Sequence, residues 1–213
     1  MSEVTVSEEG IITGNTYDKY GSANPVVRRL MSAFERALDE LFEQSDPASV
    51  LDVGCGEGVL VHQWAQRLGE RRVVGIDLEE ESIQAGWAKR KAPNLEYQVM
   101  HAGRADRVEN LPFAANEFDL ACAIEVLEHV PDPEHTLGEM ARCAERHLLV
   151  SVPREPLWRM LNMARGAYWP ALGNTPGHLN HWSRRSFVGL LSRYGRVAEV
   201  RSPFPWTMLL VRL

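Results

Sequence analysis

Five short apolar runs, at 49–53, 72–76, 95–100, 118–124 and 147–152, set the rhythm of this chain. Helix-patterned stretches lie between the first three, at 58–68 and 79–91, and 133–145 separates the fourth run from the fifth. Strands that are apolar throughout and joined by helices belong to a parallel sheet covered on both faces. Upstream, Val27, Leu30, Met31, Phe34, Leu38, Leu41 and Phe42 recur at three- and four-residue intervals. That spacing predicts an amphipathic helix with Pro25 in its first turn, ending near Gln44-Ser45-Asp46-Pro47. Residues 1–24 are polar and read as a loose arm. Residues 153–181 break the alternation with Pro, Gly, Met and Trp; Ser183 then caps a helix over 184–194 that Gly195 stops. Closing runs occupy 196–201 and 206–213, and no repeat recurs at periods of 20–50 residues. The pattern predicts one doubly wound, Rossmann-like α/β domain over 1–213. An arm and helix fill 1–46, and a substrate lid is inserted at 153–181.

With 213 residues, 45% of them apolar, the chain fills one core and is too short for two ordinary domains. No apolar run approaches the roughly 18–20 residues of a membrane span. The first residues, Met1-Ser2-Glu3-Val4, lack the basic-then-apolar order of a secretion signal. Cys55, Cys122 and Cys143 make neither a disulfide framework nor a metal-binding pair. The expectation is a cytoplasmic protein. Its net charge of -6 is uneven: residues 151–213 carry nine Arg, no Lys and only Glu155 and Glu199. Either these arginines coat one face, or that end meets something anionic.

The strongest local signal is Val50-Leu51-Asp52-Val53-Gly54-Cys55-Gly56-Glu57-Gly58, a strand running into a glycine-spaced turn and then a helix. Glycines allow the tight turn and let a ligand lie against bare backbone. The next strand ends Gly75-Ile76-Asp77-Leu78, placing a carboxylate 21 residues beyond Gly56. An acid there accepts hydrogen bonds from ribose hydroxyls, so the unit reads as a site for a nucleoside-bearing cofactor. Asp52 in the strand end suits a cationic cofactor better than a diphosphate, because like charges repel.

These segments, with Leu111-Pro112-Phe113-Ala114-Ala115-Asn116-Glu117-Phe118-Asp119, resemble the successive motifs of class I S-adenosylmethionine-dependent methyltransferases. The resemblance covers about residues 15–213. It implies a seven-stranded, mostly parallel sheet whose last strand is antiparallel. It also implies that Asp52, Gly54 and Gly56 hold the methionine end of the cofactor, that Asp77 takes the ribose and that Leu78 lies against the adenine. Tyr17 and Tyr20 resemble the family's cofactor lid, and Asp106, in Ala102-Gly103-Arg104-Ala105-Asp106, takes the place of the acid that binds the adenine amine.

After the fourth run comes Glu125-Val126-Leu127-Glu128-His129-Val130-Pro131. If Glu125 opens a helical turn, Glu128 and His129 share its face at i+3 and i+4. Carboxylates and an imidazole gathered there suit Mg²⁺ or Mn²⁺. A similar cluster occurs in ubiquinone-pathway O-methyltransferases and in small-RNA 3′-terminal 2′-O-methyltransferases. The latter add a histidine four residues before a tryptophan, as His178 stands to Trp182 here. The implied shell is Glu125, Glu128, His129 and His178, with Glu125 also counted among the cofactor residues. Such turns also occur in methyltransferases that use no metal, where His129 or His181 serves as the base.

The expected function is methylation of a small-molecule hydroxyl on an aromatic, lipid-like or sugar-diol acceptor; Arg154, Arg159 and Arg165 in the lid leave room for one that carries an acidic group. Leu157, Trp158, Met160, Leu161, Met163, Tyr168 and Trp169 give the lid an apolar lining. Nitrogen or carbon acceptors, a terminal RNA hydroxyl, and a non-catalytic cofactor-binding subunit are the alternatives. The overall acidity and the lack of an RNA-binding module count against nucleic acid. A homodimer through the N-terminal helix and the closing run stays open.

Overall fold

The computed structural model of the protein describes residues 5–6, 12–13, 24–78, 81–100 and 110–213. Tyr17, Tyr20 and Asp106 lie outside the described residues. Near the start, Thr5–Val6 pairs antiparallel with Ile12–Thr13.

Helix α1, Pro25–Ser45, starts where the Asn24 side chain accepts the Val26 amide and Pro25 fills the first turn. It stops at Asp46, whose left-handed backbone (φ 38°) ends the ladder. The chain then builds β1 (Val50–Val53), α2 (Val59–Leu68), β2 (Val73–Asp77), α3 (Glu81–Lys89) and β3 (Leu95–Val99). β4 (Phe118–Ile124), α4 (Pro133–Cys143) and β5 (Ala144–Pro153) follow. The last part holds α5 (Leu157–Ala164), a 3₁₀ turn at Trp169–Ala171, α6 (Arg184–Leu191), β6 (Arg196–Arg201) and β7 (Trp206–Arg212).

The seven strands lie in the order β3-β2-β1-β4-β5-β7-β6. β7 runs antiparallel to both neighbours, and every other pairing is parallel. The doubly wound architecture expected from the apolar runs is therefore the one found, with the closing strand reversed.

Side chains alternate across each strand and feed two cores. Leu51, Val53, Val74, Ile76, Leu148 and Val150 face α4 and α6 through Leu137, Met140, Phe187 and Leu191. Val50, Val73, Leu120, Cys122 and Leu149 face α1, α2 and α3 on the other side. There Trp64, fully buried, stacks on Phe42 at 4.7 Å and ties α2 to α1. Removing that indole (Trp64→Ala) costs roughly 3–5 kcal/mol by the usual price of large core truncations.

Two boundaries differ from the expectation. α4 ends at Cys143 and β5 begins at Ala144, without the interval foreseen before residue 147. After buried Ala144 the new strand continues with exposed Glu145 and Arg146, so its start carries no apolar run. α6 stops at Leu191, three residues early, where Ser192 turns its hydroxyl back onto the Val188 carbonyl.

Because the order passes from β1 outward to β2 on one side and to β4 on the other, a crevice opens above the carboxyl ends of these strands. Gly54, Asp77 and Glu125 all stand at that edge.

Candidate active site

The loop leaving β1 is built by backbone geometry. Gly54 (φ 77°) and Gly56 (φ 55°) adopt left-handed conformations that L side chains rarely take. At Gly54 a Cβ would also stand 2.5 Å from the Val126 side chain, so the loop presses against the turn that follows β4. At Gly56 a Cβ would meet nothing within 4 Å, which leaves bare backbone open to a ligand. The Gly54 and Cys55 amides both donate to the Ile76 carbonyl, at 2.8 and 3.0 Å.

Both groups of the Gly56 unit are held. Its amide donates to Asp77 Oδ2 at 2.5 Å, and its carbonyl accepts the Trp87 indole N–H at 2.8 Å. Arg90 adds a bond to the Glu57 carbonyl at 3.0 Å. The Leu78 amide donates to Asp77 Oδ1 at 2.7 Å, so the carboxylate's orientation is set from two sides while each oxygen keeps a further lone pair. Trp87 and Arg90 carried no motif and were not foreseen. Only α3 docking beside the loop brings them there.

Asp52 is buried at 2% exposure, and its Oδ1 has no hydrogen-bond partner among the described residues. Burial pushes its carboxyl well above the ordinary range, and the nearby charge of Asp77 pushes it further. Asp77 is also raised by burial, an effect opposed by the Gly56 and Leu78 amides. A buried carboxyl whose charge is disfavoured by burial and by a second carboxylate nearby makes a place where a cation is welcome. The sulfonium and ammonium of S-adenosylmethionine fit that demand, and its ribose fits the Asp77 edge.

The turn after β4 is not helical. Glu125 sits at φ 60°, which breaks any helical register with Glu128 and His129. Its carboxylate turns back: Ser151 Oγ donates to Oε1 at 3.0 Å and the Trp206 indole to Oε2 at 2.7 Å. The premise of a shared helical face is therefore corrected. Trp206, 81 residues away on β7, was not foreseen as a partner.

Glu128, His129 and His178 do come together. One ligand atom from each lies within 4.8 Å of the others, and Glu125 is not in that group. Glu128 is 2% exposed and His178 8%. The His129 and His178 rings meet edge to face at 4.8 Å. His129 Nδ1 lies 3.0 Å from the Gly177 carbonyl; a carbonyl only accepts, so Nδ1 carries a hydrogen. His181 lies apart from this group and is exposed, its Nε2–H directed to Asn174 Oδ1 at 2.6 Å.

The segment expected to form a lid, 153–181, leaves and rejoins the sheet at one place, where the Glu155 amide donates to the Trp182 carbonyl at 2.8 Å. Inside it, buried Asn162 donates to the Gly173 carbonyl and to Thr175 Oγ1, which also receives the Trp158 indole at 2.9 Å. Trp158 lies between His178 and Trp206, with ring centroids 6.2 and 5.8 Å away. Met160 and Trp169, expected to line the lid, are 58% and 60% exposed. Arg159 bonds the Leu172 carbonyl within the lid, and Arg165 lies over the Tyr168 ring. Arg193 and Arg201 pair with Glu134 and Glu199, so part of the basic excess is spent on neighbouring carboxylates. Among the described residues, no helix is long and apolar enough to cross a membrane.

Comparison with known proteins identifies the family. A family profile described as a methyltransferase domain matches residues 26–197. The chain is 31% identical over 160 residues to a ubiquinone biosynthesis O-methyltransferase of Alkalilimnicola ehrlichii, covering 68% of this chain and 62% of that protein. It is 31% identical over 135 residues to the methyltransferase GfsG of Streptomyces halstedii, covering 62% and 48%. The chain thus spans less than two thirds of the length of these curated relatives. Among solved structures, a SAM dependent methyltransferase from Aquifex aeolicus superposes with a TM-score of 0.62 at 20% identity, covering 89% of this chain and 93% of that one. Magnesium protoporphyrin IX methyltransferase from Synechocystis PCC 6803 with bound SAH superposes at 0.60 and 18% identity, covering 90% and 89%. By its strand order, its glycine loop and this family match, the chain belongs to the class I S-adenosylmethionine-dependent methyltransferases.

Proposed function

We propose that the chain methylates a hydroxyl of a small molecule, on an aromatic, lipid-like or sugar-diol acceptor, with Mg²⁺ or Mn²⁺ held by Glu128, His129 and His178. The observation that carries this reading is the convergence of those three donors within 4.8 Å, two of them on the turn that touches the glycine loop. The names of the ubiquinone biosynthesis relatives support an oxygen acceptor. One carboxylate with two imidazoles is a donor set that accepts Mn²⁺ more readily than Mg²⁺, since Mg²⁺ prefers oxygen ligands throughout. Such an ion supplies positive charge that lowers the pKa of an adjacent hydroxyl.

Methyl transfer from a sulfonium is an in-line displacement, so the protein's own work is alignment and exclusion of water. Asp77 takes the ribose hydroxyls, and Asp52 with the loop backbone receives the cationic methionine end. Trp158 offers a flat apolar wall beside His178, and the lid closes over it. In the neutral ring the Gly177 carbonyl fixes the His129 hydrogen on Nδ1, which places the acceptor lone pair on Nε2. In a metal-free enzyme that same nitrogen takes the hydroxyl proton as general base.

A panel of catechols and sugar diols with labelled cofactor tests the proposal. Chelator is expected to abolish turnover, added Mn²⁺ or Mg²⁺ to restore it, and Glu128→Ala to lose that response. Full activity in chelator removes the metal and leaves His129 as base. Transfer to a small RNA, with salt-sensitive binding and none to the panel, overturns the small-molecule acceptor.

A further inference from the structure

The return leg of the lid, residues 177–180, is bonded to the turn 127–130 in an unusually dense way. His129 Nδ1–H donates to the Gly177 carbonyl at 3.0 Å. The Leu179 and Asn180 amides both donate to the Glu128 carbonyl, at 2.7 and 3.1 Å. The Asn180 side-chain amide then donates to the Leu127 carbonyl at 3.1 Å and to the Val130 carbonyl at 2.7 Å. His178 is carried between these anchors, opposite Glu128 and His129.

We propose that Asn180 is the positioning residue that locks the lid's return leg onto the Glu128–His129 turn and so sets the spacing of His178 from Glu128 and His129. This rests on the reading of those three residues as a functional site. Three of the five bonds use backbone groups of the leg, or a backbone carbonyl receiving His129, and any residue could supply them. Only the Asn180 carboxamide is specific to its side chain. Its two N–H groups leave one nitrogen and reach carbonyls three residues apart, which spans the turn carrying Glu128 and His129. The turn has no helical ladder, because Glu125 is left-handed; its own backbone contributes the bond from His129 N–H to the Val126 carbonyl at 2.9 Å. Buried carbonyls must find donors, and those of Leu127 and Val130 find them in Asn180. Aspartate has the same shape but nothing to donate, and alanine has neither.

The lid leg therefore does two tasks at once: it contributes a donor to the site and it clamps the turn bearing the other two. A lid that lifts carries His178 away and frees the His129 Nδ1–H together, so the site is complete only when the leg is seated.

The test uses the full chain and needs no acceptor. Imidazole ¹⁵N spectra of the wild type, with His129 assigned by His129→Gln, report a single Nδ1–H tautomer. In Asn180→Ala and Asn180→Asp, His129 is expected to show mixed tautomers. Mn²⁺ affinity is expected to fall about tenfold, as for outer-shell changes at metal sites. Binding of S-adenosylhomocysteine, measured by calorimetry, should stay within twofold. A single unchanged His129 tautomer with only a lowered thermal midpoint overturns the proposal, as does parallel loss of cofactor binding. If the wild type binds no Mn²⁺ the metal reading fails, while the tautomer comparison still decides the clamp. Should neither variant fold, the wild-type Asn180 side-chain amide protons decide it: slow exchange supports the clamp, and exchange at the solvent rate overturns it.

Discussion

Gly56 and Asp77 stand 21 residues apart, yet the amide of one is bonded to the carboxylate of the other at 2.5 Å. That contact joins the loop of β1 to the end of β2, so the residue assigned to the ribose also shapes the cradle for the rest of the cofactor.

Asp77→Ala removes the acceptor for Gly56 and for the ribose together. Hydrogen bonds to a charged group are worth about 1.5–3 kcal/mol, so affinity for S-adenosylmethionine is expected to fall roughly 10–150-fold. Calorimetry checks it, and unchanged affinity would remove Asp77 from the ribose.

Trp87→Phe keeps the stack on Tyr97, whose ring centroid is 4.9 Å away, but deletes the indole N–H given to the Gly56 carbonyl. One neutral hydrogen bond is worth about 1 kcal/mol, so cofactor affinity is expected to drop about fivefold with little change in thermal midpoint. A drop confined to stability would show that the loop holds its shape without Trp87.

Asp52 is costly to the empty protein. Its folded-state pKa lies above the ordinary 3.8, so its favourable contribution is complete below that value and is lost as pH rises through the folded value. Asp52→Asn should therefore raise the midpoint of the empty protein at neutral pH, by about 2–4 °C per kcal/mol regained. The gain should vanish near pH 4, and affinity for the cationic cofactor should fall at neutral pH, where the carboxylate is charged. A lower midpoint at neutral pH would mean that the ionised carboxylate has support from outside the described residues.

Glu125 is read here as a brace, since Ser151 and Trp206 take its two oxygens. Glu125→Ala is expected to lower stability by about 1–3 kcal/mol while leaving Mn²⁺ affinity within threefold. A tenfold loss of Mn²⁺ binding, read by electron paramagnetic resonance, would return Glu125 to the shell.

What could be read before folding was whatever is local. The run at 118–124 became β4 residue for residue, because a buried central strand writes itself as continuous apolar sequence. The cofactor unit was legible for a related reason: Asp52, Gly54, Gly56 and Asp77 belong to one strand-turn-helix-strand segment, whose geometry follows from glycine conformations and a short crossover. The break between α4 and β5 was not legible, since exposed Glu145 and Arg146 follow Ala144 directly and interrupt the apolar signal at the strand's start.

The sequence by itself thus determined the parallel sheet and the glycine loop, since each depends on neighbours along the chain. Only the tertiary structure decided which acids and imidazoles share a site. Glu125 and Glu128 look equivalent in the motif. However, the left-handed backbone at Glu125, with Ser151 and Trp206 as donors 26 and 81 residues away, draws one carboxylate aside and leaves the other with His129 and His178. His178 and His181 look alike in the same way, and the seating of the lid's return leg separates them. Partners that distant meet only when β5, β7 and the lid pack together, and local pattern carries no record of that meeting.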